Sequence, residues 1–214
     1  MICRCFVPLM QVALLLVSSL GLLVVQAQQC GTSRRRPWRS LTCAEQDEFL
    51  SAVQAMKADG VYDDIAVVHA QTGPLAHNVP AFLPWHRYYT WVFERELQRV
   101  SGSCLFVPYW DWERTGSLAT VLGPNSFGTE NPGCVTDGIA SGWNGDNGCL
   151  TRAFNQRFSF TRDVEVLSRI TNSPNFADFS VELEGAPHTA VHQFVGGNMG
   201  SMASPYGKPW TMRG

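Results

Sequence analysis

The chain has 214 residues, 16 Lys+Arg against 18 Asp+Glu and a formal net charge of -2 at pH 7. With 45% hydrophobic residues it is long enough for one domain with a substantial core, which argues against disorder and low complexity. No like-charge block exceeds Arg34–Arg36, so the basic footprint of a nucleic-acid binder is absent and nucleic acid is excluded as a partner.

Residues 1–27 read as a secretory signal peptide: a basic start at Arg4, apolar runs Val12–Val17 and Leu20–Val25, and the small-residue exit Val25-Gln26-Ala27. Pro8, Gln11, Ser18, Ser19 and Gly21 interrupt the run, which disfavours a stable membrane anchor. Cleavage would leave Gln28 first, in a secreted, extracellular protein. Of the seven Cys, Cys3 and Cys5 would leave with the signal and five would remain in an oxidising compartment. Short loops favour Cys30–Cys43 and Cys134–Cys149 bridges, the second enclosing a Gly/Asn/Asp-rich stretch, with Cys104 left over.

In the segment 28–206 the first element is a helix opening on the capping-box pattern Thr42-Cys43-Ala44-Glu45 and carrying Phe49, Leu50, Val53 and Met56 inward, until Gly60 stops it. A shorter helix begins at Asp63 or Asp64, carries Ile65, Val68 and His69, and breaks at Gly73-Pro74. From Pro84, residues Trp85/His86, Tyr89, Phe93, Leu97 and Val100 step by three or four, so His86 points inward. Leu105–Trp112 is too short and aromatic for a helix, and Gly116 to Arg152 is a loop excursion. A helix is expected over Asp163–Ile170. After Ser173-Pro174 another begins with Pro187 in its first turn and ends at Gly196-Gly197, and Met199–Gly214 is irregular. No internal period or domain linker occurs.

The five histidines fall in two blocks: His69, His77 and His86 within eighteen residues, and His188 with His192 four apart on one helix face. Imidazole-only ligation suits Cu and Zn, and affinity for divalent ions peaks at Cu. A helical metalloprotease site would need Glu after the first His of the pair, where Thr189 stands. A single zinc site from the first block alone would leave the second pair without a purpose.

The run His77-Asn78-Val79-Pro80-Ala81-Phe82-Leu83-Pro84-Trp85-His86-Arg87, then Pro108-Tyr109-Trp110-Asp111-Trp112, and Glu184-Gly185-Ala186-Pro187-His188-Thr189-Ala190-Val191-His192 followed by Gly196-Gly197-Asn198-Met199 resemble the tyrosinase copper-binding domain, a family that includes catechol oxidases and molluscan haemocyanin units. The resemblance spans roughly Cys30 to Tyr206. It implies a mainly α fold, a type-3 copper helical bundle with long irregular loops. It also implies two copper ions, copper A on His69, His77 and His86 and copper B on His188 and His192. The implied activity is O2-dependent oxidation of phenols or catechols to o-quinones. Trp85, Tyr89, Phe93 and Phe194 would wall the cavity, and Glu184 would hold a water and help deprotonate a phenol as a catalytic residue. Asp111 and Arg87 would belong to a buried scaffold network, and Arg34–Arg36 to an exposed or framework basic patch.

The sequence also departs from the family. Leu75 stands where some relatives have a cysteine that forms a thioether with the second copper A histidine, and Thr189 where efficient tyrosinases often have Asn, a lean toward catechol oxidation. Relatives continue past Ser-Pro to a His-His pair on a fourth helix. Here Ser204-Pro205 is followed by Tyr206-Gly207-Lys208-Pro209-Trp210, so copper B lacks its third histidine and the final bundle helix is missing. Gly207-Lys208 is what GGTAAG, a splice-donor sequence, encodes, so residues 207–214 are read as a divergent tail translated from an intron, which would impair activity. The competing reading is a real, shortened protein that keeps copper A. At the level of function, the alternatives are a haemocyanin-like O2 binder and a copper-binding protein without turnover. The sequence leaves the oligomeric state and the particular phenol open.

Overall fold

A computed structural model describes residues 30–32, 34–111, 121–129, 132–155 and 164–201. The signal segment, Trp112, Asp163 and the tail from 202 lie outside the described residues.

Helix α1 (Cys43–Ala58) starts where the capping box places it: Thr42 Oγ1 accepts the Glu45 N–H at 3.3 Å, and the Glu45 carboxylate accepts the Thr42 N–H at 2.8 Å. Arg36 pairs with the same glutamate at 2.6 Å, tying the N-terminal arm to the helix. The stripe Phe49, Leu50, Val53 and Met56 is buried. Burying each such side chain stabilises the fold by about 1.5–3 kcal/mol. Helix α2 (Val61–Gln71) begins two residues before the predicted aspartates, because Gly60 at φ +82° reverses the chain directly out of α1. Gly73-Pro74 breaks α2 as expected, but the chain then makes one further turn, α3 (Gly73–Ala76), with Pro74 in its first positions.

Helix α4 (Phe82–Ser101) buries Phe82, His86, Tyr89, Thr90, Phe93, Glu94 and Leu97 along one face and ends at Gly102, which is left-handed at φ +67°. It packs against α1, and α1 in turn against α2. Tyr89 donates to the Ile65 carbonyl at 3.0 Å, fastening α4 to α2. The mainly helical bundle expected from the sequence is therefore present, with sheet limited among the described residues to one short hairpin. No helix among the described residues is long and apolar enough to cross a membrane.

The second half of the chain departs further from the sequence-based expectation. Helix α5 (Val164–Thr171) lies where a helix was predicted. Helix α6 (Phe176–Leu183), capped by Asn175 accepting the Asp178 N–H at 3.0 Å, was not anticipated. Pro187 does not open a helix. Instead α6 runs on through a π-helical turn (Glu184–His188) into α7 (Thr189–Val195), with Pro187 inside the turn. Proline has no N–H to continue an α-helical ladder, and widening the turn by one residue accommodates it. The Thr189 N–H and its hydroxyl, at 2.8 Å, both bond to the Glu184 carbonyl.

One predicted disulfide holds and one does not. Cys134 is joined to Cys149, beside the hairpin of β1 (Gly133–Cys134) and β2 (Thr151–Arg152). Cys30 is joined to Cys104, not to Cys43, so Cys104 is not left over, and Cys43 is itself disulfide-bonded. The arm before α1 lies alongside the segment after α4, with Trp38 donating to the Tyr109 carbonyl (2.8 Å) and Tyr109 to the Arg36 carbonyl (3.0 Å). That alignment brings Cys30 to Cys104 across 74 residues of sequence. Such a bridge removes much loop entropy from the unfolded chain, so Cys104→Ser is expected to cost about 2–4 kcal/mol. Urea unfolding checks this, and a loss below about 1 kcal/mol contradicts it.

The predicted basic patch is divided: Arg34 is exposed, whereas Arg35 forms an ion pair with buried Glu94 at 2.7 Å, and Glu94 also accepts the Val107 N–H. Of the expected scaffold pair, Asp111 is buried and meets Arg39 at 3.4 Å, but Arg87 is exposed on α4.

The excursion before β2 packs Val121, Leu122, Phe127, Val135, Trp143 and Leu150 into the same core as the helices. Its organiser is Arg152, 5% exposed, whose guanidinium donates to the carbonyls of Phe127 (2.6 Å), Gly128 (2.9 Å) and Thr129 (2.6 Å). Burial pulls its pKa down to about 10, partly offset by Asp137. Trp143 meets Tyr62 at 4.8 Å, and the Lys57 ammonium lies over both rings, which joins the excursion to α1 and α2.

Candidate metal centre

Three elements deliver the first histidines. His69 comes from the last turn of α2, His77 from the extended residue after α3 and His86 from the buried face of α4. All three are buried, and one ligand atom from each lies within 4.8 Å of the others. A backbone carbonyl can only accept, so the 2.8 Å contact of His86 Nδ1 with Phe82 O and the 3.1 Å contact of His77 Nδ1 with Gly73 O put a proton on each Nδ1. In a neutral ring that leaves the Nε2 lone pair free for a ligand. Burial lowers the His86 pKa to about 4, so its ring is neutral at ordinary pH.

The second set comes from the helix that follows the π turn. His188 and His192 point their Nε2 atoms at each other, 3.1 Å apart, and the Nε2 atoms of His69 and His86 are 3.3 Å apart. Two nitrogens bound about 2.0–2.1 Å from one ion in a tetrahedral array sit about 3.3 Å apart. Both spacings therefore fit an ion shared by the pair. Burial also pushes the His188 pKa well below the usual range, with His192 adding to the effect. His192 Nδ1 donates to the Met199 carbonyl at 3.0 Å, fixing its tautomer as in His77 and His86.

The Gly196-Gly197-Asn198-Met199 run makes that contact possible. Both glycines have positive φ, +61° and +56°, and fold the chain back along α7. A Cβ on Gly197 would fall 2.3 Å from the Thr151 carbonyl and one on Gly196 2.2 Å from the Ala153 carbonyl, so no other residue fits this close approach. Asn198 then accepts the Thr151 N–H (2.7 Å) and hydroxyl (2.8 Å) and donates to Asp146 (2.9 Å). The sequence marked this run as a helix stop and as part of the family resemblance, without giving it a task. Its work is to press α7 onto β2 and return a carbonyl to His192.

The two histidine sets face one space. The ring of His188 lies 6.1 Å from that of His86 and 6.4 Å from that of His77. Phe82 stands between them, 4.4 Å from His86 and 4.9 Å from His188, a role sequence reasoning missed because its only local sign is a position four residues before His86. Trp85 and Tyr89, stacked at 5.0 Å, do wall the His69 side, at 5.7 and 5.4 Å from its ring. Phe93 packs on Tyr62 in the core, and Phe194 lies against Phe154.

Glu184, the first residue of the π turn, is buried, with both carboxylate oxygens on the Asn78 N–H at 3.0 and 2.9 Å. Burial raises its pKa, and the Asn78 N–H works against that rise. Leu75, two residues before His77, is 74% exposed.

The model of the common central domain of tyrosinase matches residues 59–207. Tyrosinase-like protein phomQ1 of Diaporthe leptostromiformis is 31% identical, with 83% of this chain and 58% of the relative covered. Tyrosinase of Streptomyces glaucescens is also 31% identical, over 80% of this chain and 74% of its own length. Tyrosinase ustQ of Aspergillus flavus is 42% identical over a shorter stretch, 36% of this chain. The chain spans 51–60% of the length of the three Diaporthe relatives it matches. With a matched central domain and a buried three-histidine cluster compatible with copper, the chain belongs to the tyrosinase family.

Proposed function

We propose that this protein is a secreted, copper-dependent oxidoreductase that oxidises phenols or catechols to o-quinones with O2. His69, His77 and His86 hold one copper and His188 and His192 the other. The observation that carries this reading is the convergence of the two sets on one space, with Nε2 spacings of 3.3 and 3.1 Å matched to imidazole ligation. When bound, copper would supply the redox chemistry, passing two electrons from each of two catechols to one O2, which leaves with their protons as two waters. The chain does the rest. Nδ1–H bonds to backbone carbonyls hold the rings of His77, His86 and His192 in the tautomer that presents Nε2. Trp85 and Tyr89 exclude water beside His69. Thr189, directly after His188, leans the chemistry toward catechols over monophenols.

The test is to express the full chain with copper in a secreting host and recover it from the medium. The expected product begins at Gln28, binds two copper ions, and oxidises a catechol faster than the matching monophenol. Reversible O2 uptake without quinone would replace this reading with an O2 carrier, and one copper or none with a non-catalytic metal-binding protein.

A further inference from the structure

The loop between His77 and His86 is carried by α3 and α4, yet it is tethered to the opposite helix. Glu184 at the start of the π turn takes the Asn78 N–H on both carboxylate oxygens, and one helical turn earlier the Ser180 hydroxyl reaches the Pro80 carbonyl at 3.4 Å. Asn78 needs such a tether. It is the one non-glycine residue with positive φ among the described residues, at +55°, a conformation that costs free energy unless its surroundings impose it. His77 lies immediately before it, and His188 and His192 follow Glu184 on the same continuous helix. A contact 106 residues apart in sequence therefore joins the segment bearing one histidine set to the helix bearing the other.

We propose that Glu184 is a positioning residue: by accepting the Asn78 N–H it latches the His77 loop to the His188/His192 helix and sets the spacing of the two metal half-sites. This rests on the dicopper reading above. It differs from direct proton acceptance, because the latch needs an oxygen at the right reach and not a base. Glu184→Gln keeps such an oxygen. Glu184→Asp keeps the charge but is one methylene too short, and Glu184→Ala removes both.

The measurements are copper retention against a Cu(I) chelator, thermal midpoint, and hydrogen exchange of the Asn78 amide. Copper affinity is expected to fall about tenfold or more in the Ala and Asp variants and to stay within about threefold of wild type in Gln, a rescue that loss of packing alone would not produce. The Asn78 amide should be protected in wild type and Gln and exchange freely in Asp and Ala, with or without copper. If Ala fails to fold, Asp against Gln makes the same comparison. Unchanged copper affinity in Asp and Ala, or a Gln variant that loses copper as readily as Ala, would overturn the latch. A wild-type chain that takes up no copper while Asn78 remains protected would overturn the dicopper reading and leave the contact itself standing.

Discussion

Replacing His86 with glutamine is expected to reduce copper affinity at the three-histidine set by on the order of 100-fold or more and to abolish quinone formation, while the helices still form. His86 is central to the arrangement. Its Nε2 meets that of His69 at 3.3 Å, its ring lies 4.8 Å from His77, and its Nδ1–H is fixed on Phe82 O. A neutral imidazole with one nitrogen protonated by a backbone acceptor is a prepared ligand. A glutamine amide of similar reach offers copper a much poorer donor. Copper titration in competition with a chelator, with circular dichroism to confirm helicity, reads the outcome. Wild-type copper affinity in His86→Gln would remove His86 from the ligand set.

Replacing Arg152 with methionine is expected to destabilise the protein by about 3–5 kcal/mol, because three carbonyls now paired to one guanidinium would be left buried without a donor. Arg152→Lys should recover only part of this, since a single ammonium cannot reproduce a planar fork spanning Phe127, Gly128 and Thr129. The effect should extend to the metal centre. Arg152 closes strand β2, whose Thr151 holds Asn198, and the turn containing Asn198 returns the Met199 carbonyl to His192. Urea unfolding followed by tryptophan fluorescence measures the loss, and a change below about 1 kcal/mol would contradict the account.

These two expectations mark the division between what could be read along the chain and what could not. The sequence alone determined α1 down to its capping box, the inward face of α4, the Cys134–Cys149 bridge and the grouping of all five histidines into a trio and a pair. Each of those signals acts over a few residues: a cap and its N3 partner, side chains three or four apart, a loop of 15 residues. Only the tertiary structure decided the Cys30–Cys104 bridge, the π turn around Pro187, the place of Phe82 between the histidine sets, and the partners of Arg152, Asn198 and Glu184. The physical reason is common to most of these. Most of their partners are backbone N–H and C=O groups, which every residue carries alike, so nothing in the letters shows which one a distant side chain will meet. Pro187 resembles a helix start because a missing N–H is tolerated in a first turn, and also in a turn widened to five residues. The preceding helix, supported by packing and the Asn175 cap, selects the second.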